Sequence, residues 1–170
     1  MLTKKMEKAF NDQIKWEYYS AYLYLSMASY FQSLGLPGFA NWMEVQTQEE
    51  LFHGTKMFRY VLEKGMRVHL QGIEAPQLEW KSPLAAFEFS LKHELVVTKR
   101  INDLVDLAQK EKDHASAIFL QWFVSEQVEE EASFGDVLSK LKLVGDGGGL
   151  FMLDRELAAR VYTPPPPAAK

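Results

Sequence analysis

The sequence contains two related half-sites separated by 77 residues, and this repeat limits the folds open to the chain. The shift relates four polar residues to four others: Glu17 to Glu94, Glu49 to Glu126, Glu50 to Gln127 and His53 to Glu130. Glu50 and His53 form a Glu-x-x-His step, and residues three apart on a helix project from the same face. The repeat therefore predicts two copies of one half-site folded against each other, with carboxylate and imidazole groups converging on one point.

These polar residues lie on helical seams that are otherwise apolar. Steps of seven residues through four segments give the seams Phe10-Glu17-Tyr24-Phe31, Met43-Glu50-Met57, Phe87-Glu94-Ile101-Ala108 and Leu120-Gln127-Phe134-Leu141. No Lys or Arg lies on them. Ionised carboxylates removed from water cost several kcal/mol each unless they are compensated, so the pattern predicts a bound cation. A single polar seam residue can instead fix helix register, but that alternative is weak for a whole related layer.

Composition favours one compact domain and excludes several classes of function. The 170 residues include no cysteine, so neither a disulfide scaffold nor a thiolate metal site is available. A formal net charge of -4 argues against a nucleic-acid binder. No apolar stretch follows the basic residues near Met1. We therefore predict no signal peptide, no membrane span and a cytoplasmic location.

Helix-breaking residues divide the chain into four long helices over residues 4–144. Breaks fall at 34–38, near Gly65, at 111–113 and at Gly145. Helical periodicity fails over residues 66–81, and a stretch of this length predicts a crossover along the bundle. The expected architecture is all-α: a four-helix bundle with one long crossover between helices 2 and 3.

A short fifth helix is expected over residues 149–161, after a glycine-rich break. Its apolar stripe consists of Leu150, Leu153, Leu157 and Val161. Because four helices already close a core, this stripe is expected to find a partner, with its own bundle as the alternative. Residues 1–162 are thus predicted to form a single domain. Residues 163–170 include four consecutive prolines and predict an extended, flexible tail.

Three segments resemble the non-haem ferritins of bacteria and archaea: residues 18–28 (YYSAYLYLSMA), 48–53 (QEELFH) and 121–131 (QWFVSEQVEEE). The resemblance extends over nearly all of the chain. It implies a ferritin-like bundle that assembles into a hollow homo-oligomer of twenty-four subunits. It also implies a ferroxidase, an enzyme that oxidises Fe(II) with O2 or H2O2 and stores the Fe(III) as a mineral.

The resemblance further implies a role for individual side chains. The first iron would be bound by Glu17, Glu50 and His53. The second would be bound by Glu50, as a bridge, with Glu94 and Glu130, and Gln127 would lie beside the oxygen-binding region. An additional third-iron site would use Glu49, Glu126, Glu129 and Glu130.

The second half-site reads Gln-x-x-Glu where symmetric di-iron proteins have a second Glu-x-x-His. Bacterioferritins keep the second Glu-x-x-His and place a haem-ligating Met directly after the Glu of the first. This chain has Leu51 at that position, so no haem is expected. Weaker ligands at the second half-site should also let the second iron leave after oxidation, which suits storage.

Some residues have two interpretations. Tyr24, two turns beyond Glu17, either reaches the site as a hydrogen-bond or electron donor, or is an ordinary core tyrosine. Glu49, Glu126 and Glu129 either bind the third iron or form a solvated outer face. His69 and His93 show no pairing pattern, and His114 either lines a pore between subunits or lies on the surface.

Three other functions compete with iron storage. A rubrerythrin-like di-iron peroxidase would use the same ligands without a mineral, although the chain lacks the cysteines of a rubredoxin-type electron entry. A DNA-protecting mini-ferritin places its iron sites between subunits, so it would not need a complete set of ligands in one chain. A purely structural bundle would need no metal at all.

Overall fold

The computed structural model describes residues 2–145 and 148–165. Over these ranges the chain forms five helices and no strand: α1 (Lys4–Ser33), α2 (Pro37–Glu63), α3 (Pro83–Lys110), α4 (His114–Val144) and α5 (Gly148–Leu157). Helix α1 packs along α2, and α3 packs along α4. The connection between α2 and α3 has no regular helical structure. The predicted four-helix bundle with one long crossover and a short fifth helix is confirmed.

Local side chains explain where the long helices begin. The side-chain oxygens of Thr3, Ser82 and Asp113 accept hydrogen bonds from the first-turn N–H groups of α1, α3 and α4. Pro37 and Pro83 are the first residues of α2 and α3. Proline is suited to this position because a backbone N–H there has no acceptor within the helix.

Glycines with positive φ follow three of these helices, Gly35 after α1, Gly65 after α2 and Gly145 after α4. A positive φ suits glycine because it has no Cβ to clash with the backbone. These signals were readable in the sequence, and the observed ends of the four long helices agree with them to within about two residues.

The core consists of two apolar clusters. One contains Tyr24, Met43, Phe87 and Phe134, and the other contains Phe10, Met57, Ile101 and Leu120. On every long helix the polar seam residue has one seam neighbour seven residues before it and another seven residues after it. One of these two neighbours belongs to the first cluster, and the other belongs to the second. The polar residues therefore form a layer between two apolar halves of the bundle.

Helix α5 folds back onto α2 and α4 of its own bundle. Leu153 and Leu157 join the first apolar cluster and Leu150 packs against it, so these three stripe residues are covered by the chain's own bundle and not by the expected partner. The helix ends at Leu157 rather than at residue 161, and Val161 is 77% exposed. The side-chain amide of Asn41 binds the carbonyl oxygens of Leu157, Ala158 and Arg160, which holds the chain in a turn there.

Two features predicted from the sequence lie partly outside the described residues. Residues 146–147 of the glycine-rich break are not among the described residues, and neither are residues 166–170 of the tail expected over residues 163–170. Residues 163–165 have no regular secondary structure.

Asp154 of α5 completes the N-terminus of α2. Leu36, at the N-cap of α2, offers no side-chain acceptor. The buried Asp154 carboxylate instead accepts hydrogen bonds from the N–H groups of Gly38 at 2.8 Å and Phe39 at 3.0 Å. The approach is so close that a Cβ on Gly38 would lie 1.6 Å from the carbonyl oxygen of Asp154. Docking of α5 therefore stabilises α2 at its first turn.

We predict that Asp154→Ala lowers the free energy of unfolding by about 1–2 kcal/mol, because two N–H groups at a helix start lose their acceptor. Urea unfolding followed by circular dichroism measures the change. Asp154→Asn keeps an acceptor oxygen and should lose less, and Asp136→Ala, on the exposed face of α4, serves as the control. Wild-type stability in Asp154→Ala would contradict the capping role.

Candidate metal centre

Six residues predicted to surround a dinuclear centre lie in the polar layer. They come from all four long helices: Glu17 from α1, Glu50 and His53 from α2, Glu94 from α3, and Gln127 and Glu130 from α4. Each has a fractional exposure of 4% or less. The seam periodicity therefore located these side chains inside the bundle correctly.

His53 joins two groups of potential metal ligands. In the first group it meets Glu17 and Glu50, and in the second it meets Glu126 and Glu130, with the ligand atoms of each group within 4.8 Å of one another. Its Nδ1 lies 3.5 Å from Glu50 Oε2, and its Nε2 lies 3.8 Å from Glu126 Oε1. The two ring nitrogens thus face different carboxylates.

Glu94 belongs to neither group, although it lies in the same layer. One of its carboxylate oxygens accepts a hydrogen bond from the Tyr24 hydroxyl. The other accepts one from the Gln127 amide at 3.2 Å, and that amide also lies 3.2 Å from the Thr98 hydroxyl. Tyr24 therefore reaches the site as a hydrogen-bond donor, which was one of the two interpretations of this residue.

The three glutamates predicted to complete a third-iron site have different surroundings. Glu126 is half-buried beside His53. Glu49 is also half-buried, but its carboxylate pairs with the Arg160 guanidinium at 2.6 Å. Glu129 is exposed and belongs to neither group of ligands. Only Glu126 of the three therefore lies with other potential ligands.

Two carboxylate oxygens in the layer have no hydrogen-bond partner. They are Glu17 Oε2 and Glu50 Oε2; both are fully buried, and the second has only the ion-pair contact with His53 Nδ1 at 3.5 Å. A buried acceptor without a partner is costly, and more so when it is charged. These oxygens belong to the group that includes His53, so a cation bound there would supply the missing interaction. Carboxylate oxygens combined with one imidazole nitrogen suit iron, zinc or manganese.

Burial raises the carboxyl pKa values of three glutamates in the layer. It raises the pKa of Glu94 to about 7. Burial and the neighbouring Glu94 raise the pKa of Glu130 to about 8 and that of Glu50 well above its usual range. Burial opposes protonation of His53, but the carboxylates of Glu126 and Glu50 raise its pKa overall. A bound cation would therefore displace protons from these residues.

The remaining three histidines do not join these ligand groups. His93 is buried, lies 2.7 Å from the Ser20 hydroxyl and stacks on Trp16, and burial lowers its pKa to about 4. His69 and His114 are exposed.

Two glutamines outside the predicted set of site residues contact the predicted ligands. Gln13 donates to Glu17 Oε1 at 2.8 Å. Gln46 donates to Glu130 Oε2 at 2.6 Å and lies 3.5 Å from Glu50 Oε1. Each precedes a ligand by four residues, and this i,i+4 spacing on a helix was the available signal.

Comparison with known proteins gives consistent matches along the chain. Residues 7–144 match the family model described as "Ferritin-like domain". A bacterial non-heme ferritin of Staphylococcus haemolyticus is 41% identical over 163 residues, covering 95% of this chain and 98% of that protein. The corresponding protein of Staphylococcus aureus strain USA300 is 38% identical over the same lengths.

Solved structures agree with these sequence matches. The open-pore ferritin of the hyperthermophilic archaeon Archaeoglobus fulgidus superposes with a TM-score of 0.93 at 57% identity, covering 95% of this chain and all of that one. A form of that ferritin engineered to be closed gives a TM-score of 0.94 at 58% identity, with coverage of 96% and 100%.

We predict that the metal-free protein becomes less stable as pH rises from about 4.5 to about 8. Glu94 and Glu130 have folded-state pKa values above the ordinary value of 4.5, so the folded state holds protons that the unfolded state releases. Their contribution is fully present below about pH 4.5 and is lost progressively until these groups ionise in the folded state, at about pH 7 and about pH 8. Urea unfolding in EDTA at pH 6 and pH 9 measures the loss.

The matched variants are Glu94→Gln and Glu130→Gln, which cannot ionise. Each should show a smaller difference between the two pH values than the wild type. A wild-type protein that is equally stable at both, or more stable at pH 9, would contradict the buried-proton interpretation.

Proposed function

The chain belongs to the ferritin family and functions in iron storage, and we propose that it oxidises Fe(II) at the carboxylate–imidazole layer and retains the Fe(III) inside a hollow homo-oligomer. The two staphylococcal relatives are named bacterial non-heme ferritins. The observation that carries the proposal is the pair of buried, unpartnered oxygens, Glu17 Oε2 and Glu50 Oε2, beside His53.

Iron enters this proposal as the substrate. The first Fe(II) would be held by Glu17, Glu50 and His53, which already form a compact group. The second would be held by Glu50, Glu94 and Glu130. A bridging role for Glu50 is supported by Gln46, whose amide lies within hydrogen-bonding distance of both Glu50 and Glu130.

The chemistry requires two irons close together. Each Fe(II) gives one electron to O2, which takes up two protons and leaves as hydrogen peroxide. If H2O2 is the oxidant, the same two electrons and two protons convert it into two water molecules. Tyr24 and Gln127 both donate to Glu94, so they hold this ligand in place on the side of the second iron. No haem takes part, since Leu51 stands where the haem ligand would be.

A third iron would be bound by Glu126 and Glu130, with Glu49 and Glu129 completing the site. Glu126 and Glu130 already lie together beside His53. Glu49 would first have to leave its ion pair with Arg160, and the exposed Glu129 would have to turn toward the layer. This site therefore requires side-chain movement that the first does not.

The proposed particle contains twenty-four subunits and works in the cytoplasm, with no nucleic-acid or membrane partner. An exposed apolar face formed by Tyr22, Leu25, Leu51 and Ile73 supports contact between subunits. In the part of the chain that the structure describes, no helix combines the length and hydrophobicity needed to span a bilayer.

We predict that Glu50→Ala combined with His53→Ala abolishes rapid Fe(II) oxidation and leaves the particle intact, because ligands are lost while outer surfaces are unchanged. Stopped-flow absorbance measures oxidation, and light scattering measures particle size. The control combines Glu44→Ala with His69→Ala, which removes the same residue types from exposed positions. Oxidation at the wild-type rate in the Glu50/His53 variant would refute the site assignment.

Analytical ultracentrifugation distinguishes storage from a rubrerythrin-like peroxidase that turns over without a mineral. We expect the purified protein to sediment as one very large hollow particle. The particle should become denser after loading with Fe(II) in air, because mineral fills the interior. A monomer or dimer that gains no mass with iron would favour the peroxidase.

A further inference from the structure

Two of the proposed ligands receive a hydrogen bond from a glutamine one helical turn before them. On α1, Gln13 Nε2 donates to Glu17 Oε1 at 2.8 Å. On α2, Gln46 Nε2 lies 3.5 Å from Glu50 Oε1 and donates to Glu130 Oε2 at 2.6 Å. Both glutamines are almost completely buried. The same residue type thus occupies the same position relative to a ligand on two adjacent helices.

An arginine holds the other end of each amide. Arg100 Nε donates to Gln13 Oε1 at 3.0 Å, and Arg160 Nη1 donates to Gln46 Oε1 at 3.0 Å. Each guanidinium also donates to a backbone carbonyl, of Asp12 and Trp42 respectively. The two arginines come from unrelated parts of the chain, one from α3 and one from the segment after α5.

Each arginine is further fixed by a tryptophan. The Arg100 guanidinium lies 4.6 Å from the ring centre of Trp16, and that of Arg160 lies 4.1 Å from that of Trp42. A guanidinium over an indole face is attracted to it electrostatically. Neither arginine is fully buried, so each keeps contact with solvent while its donor atoms reach inward.

The arginine decides which way the amide points. An amide has an acceptor oxygen at one end and an NH2 donor at the other. Because a guanidinium can only donate, it selects the oxygen, and the NH2 group must then face the carboxylate. The reversed amide would place its oxygen against the carboxylate and its NH2 group against the guanidinium, losing both hydrogen bonds.

The oriented amide in turn selects one carboxylate oxygen. Glu17 Oε1 and Glu50 Oε1 face the glutamines, and the buried carboxylate oxygens that accept no hydrogen bond are Glu17 Oε2 and Glu50 Oε2. The two Arg–Gln–Glu chains therefore produce the same result on two helices.

We propose that Arg100 and Arg160 are positioning residues for the metal site, acting through Gln13 and Gln46 so that Glu17 and Glu50 present Oε2 to the incoming cation. This inference rests on the proposed function, since it takes Glu17 and Glu50 as ligands. It adds that the cation-binding geometry is set by two arginines that do not touch the cation.

The test titrates the metal-free, full-length protein with Co²⁺ under nitrogen and records the visible absorption bands, which report coordination geometry. Arg100→Met and Arg160→Met should each weaken Co²⁺ binding about tenfold or more and change the bands, as expected when a group that orients a metal ligand is lost. Arg100→Lys and Arg160→Lys should keep most of the wild-type Co²⁺ affinity and most of the wild-type absorption bands, because an ammonium can also donate to the amide oxygen.

The controls remove neighbouring positive charges that have no glutamine contact. Lys99→Met removes the charge next to Arg100, and Arg155→Met removes one five residues before Arg160; both side chains are exposed. Neither control should change Co²⁺ affinity. Since Arg160 also pairs with Glu49, its variants are repeated in a Glu49→Gln background, and the Arg100 pair gives the test free of that complication.

A double-mutant cycle separates positioning from general charge. In a Gln13→Leu protein, Arg100→Met should have no further effect on Co²⁺ affinity, because the arginine acts through the amide. The inference would be overturned if the losses of Co²⁺ affinity caused by Gln13→Leu and Arg100→Met were additive. It would also be overturned if both Arg→Met variants had wild-type affinity and spectra. If one arginine variant does not fold by circular dichroism, the cycle on the other pair decides.

Failure of the proposed function gives a different result. In that case the wild type would bind no Co²⁺, or the Glu50→Ala, His53→Ala protein would bind it equally well. A different outcome would reject only the positioning role and leave the metal site in place. In that outcome the wild type binds Co²⁺ normally, the Glu50→Ala, His53→Ala protein does not bind it, and the arginine variants bind it as the wild type does.

Discussion

The structure depends on the burial of carboxylates in one layer of a helical bundle. Four glutamates and a histidine lie between two apolar clusters. Without a cation, Glu50, Glu94 and Glu130 avoid the cost of buried charge by holding protons, because burial raises the pKa of Glu50 well above its usual range and those of Glu94 and Glu130 to about 7 and about 8. With a cation, they pair with it instead. The same burial that penalises the empty site therefore favours metal uptake.

Most of the fold and the centre of the site followed from periodicity in the sequence. Seam positions seven residues apart located Glu17, Glu50 and Glu94 in the core, and glycine, proline and capping residues located the ends of the long helices. These features were predictable because they are local. The packing of α5 was not, because it depends on Asp154 meeting the backbone of Gly38, 116 residues away in the sequence.

The outer parts of the site were harder to predict for the same reason. No seam carries a basic residue, so the sequence indicated a cation as the only compensation for the buried charge. The structure adds Arg100 and Arg160, which contact Gln13 and Gln46 rather than Glu17 and Glu50 themselves. Sequence spacing also could not show that Glu49 and Glu129 have different surroundings. What distinguishes Glu49 is its contact with Arg160, which only the structure shows.

The long sequence separation between Arg160 and Gln46 affects the order in which the site is completed during synthesis. Arg160 lies 114 residues after the glutamine that it orients. A chain still on the ribosome therefore makes the α1 and α2 ligands long before it makes this arginine. The emerging polypeptide contains the proposed ligands of α1 and α2 early, but it reaches their final arrangement only after α5 and the turn beyond it have been translated and have docked. Translation thus delays the mature geometry until the bundle that encloses it exists.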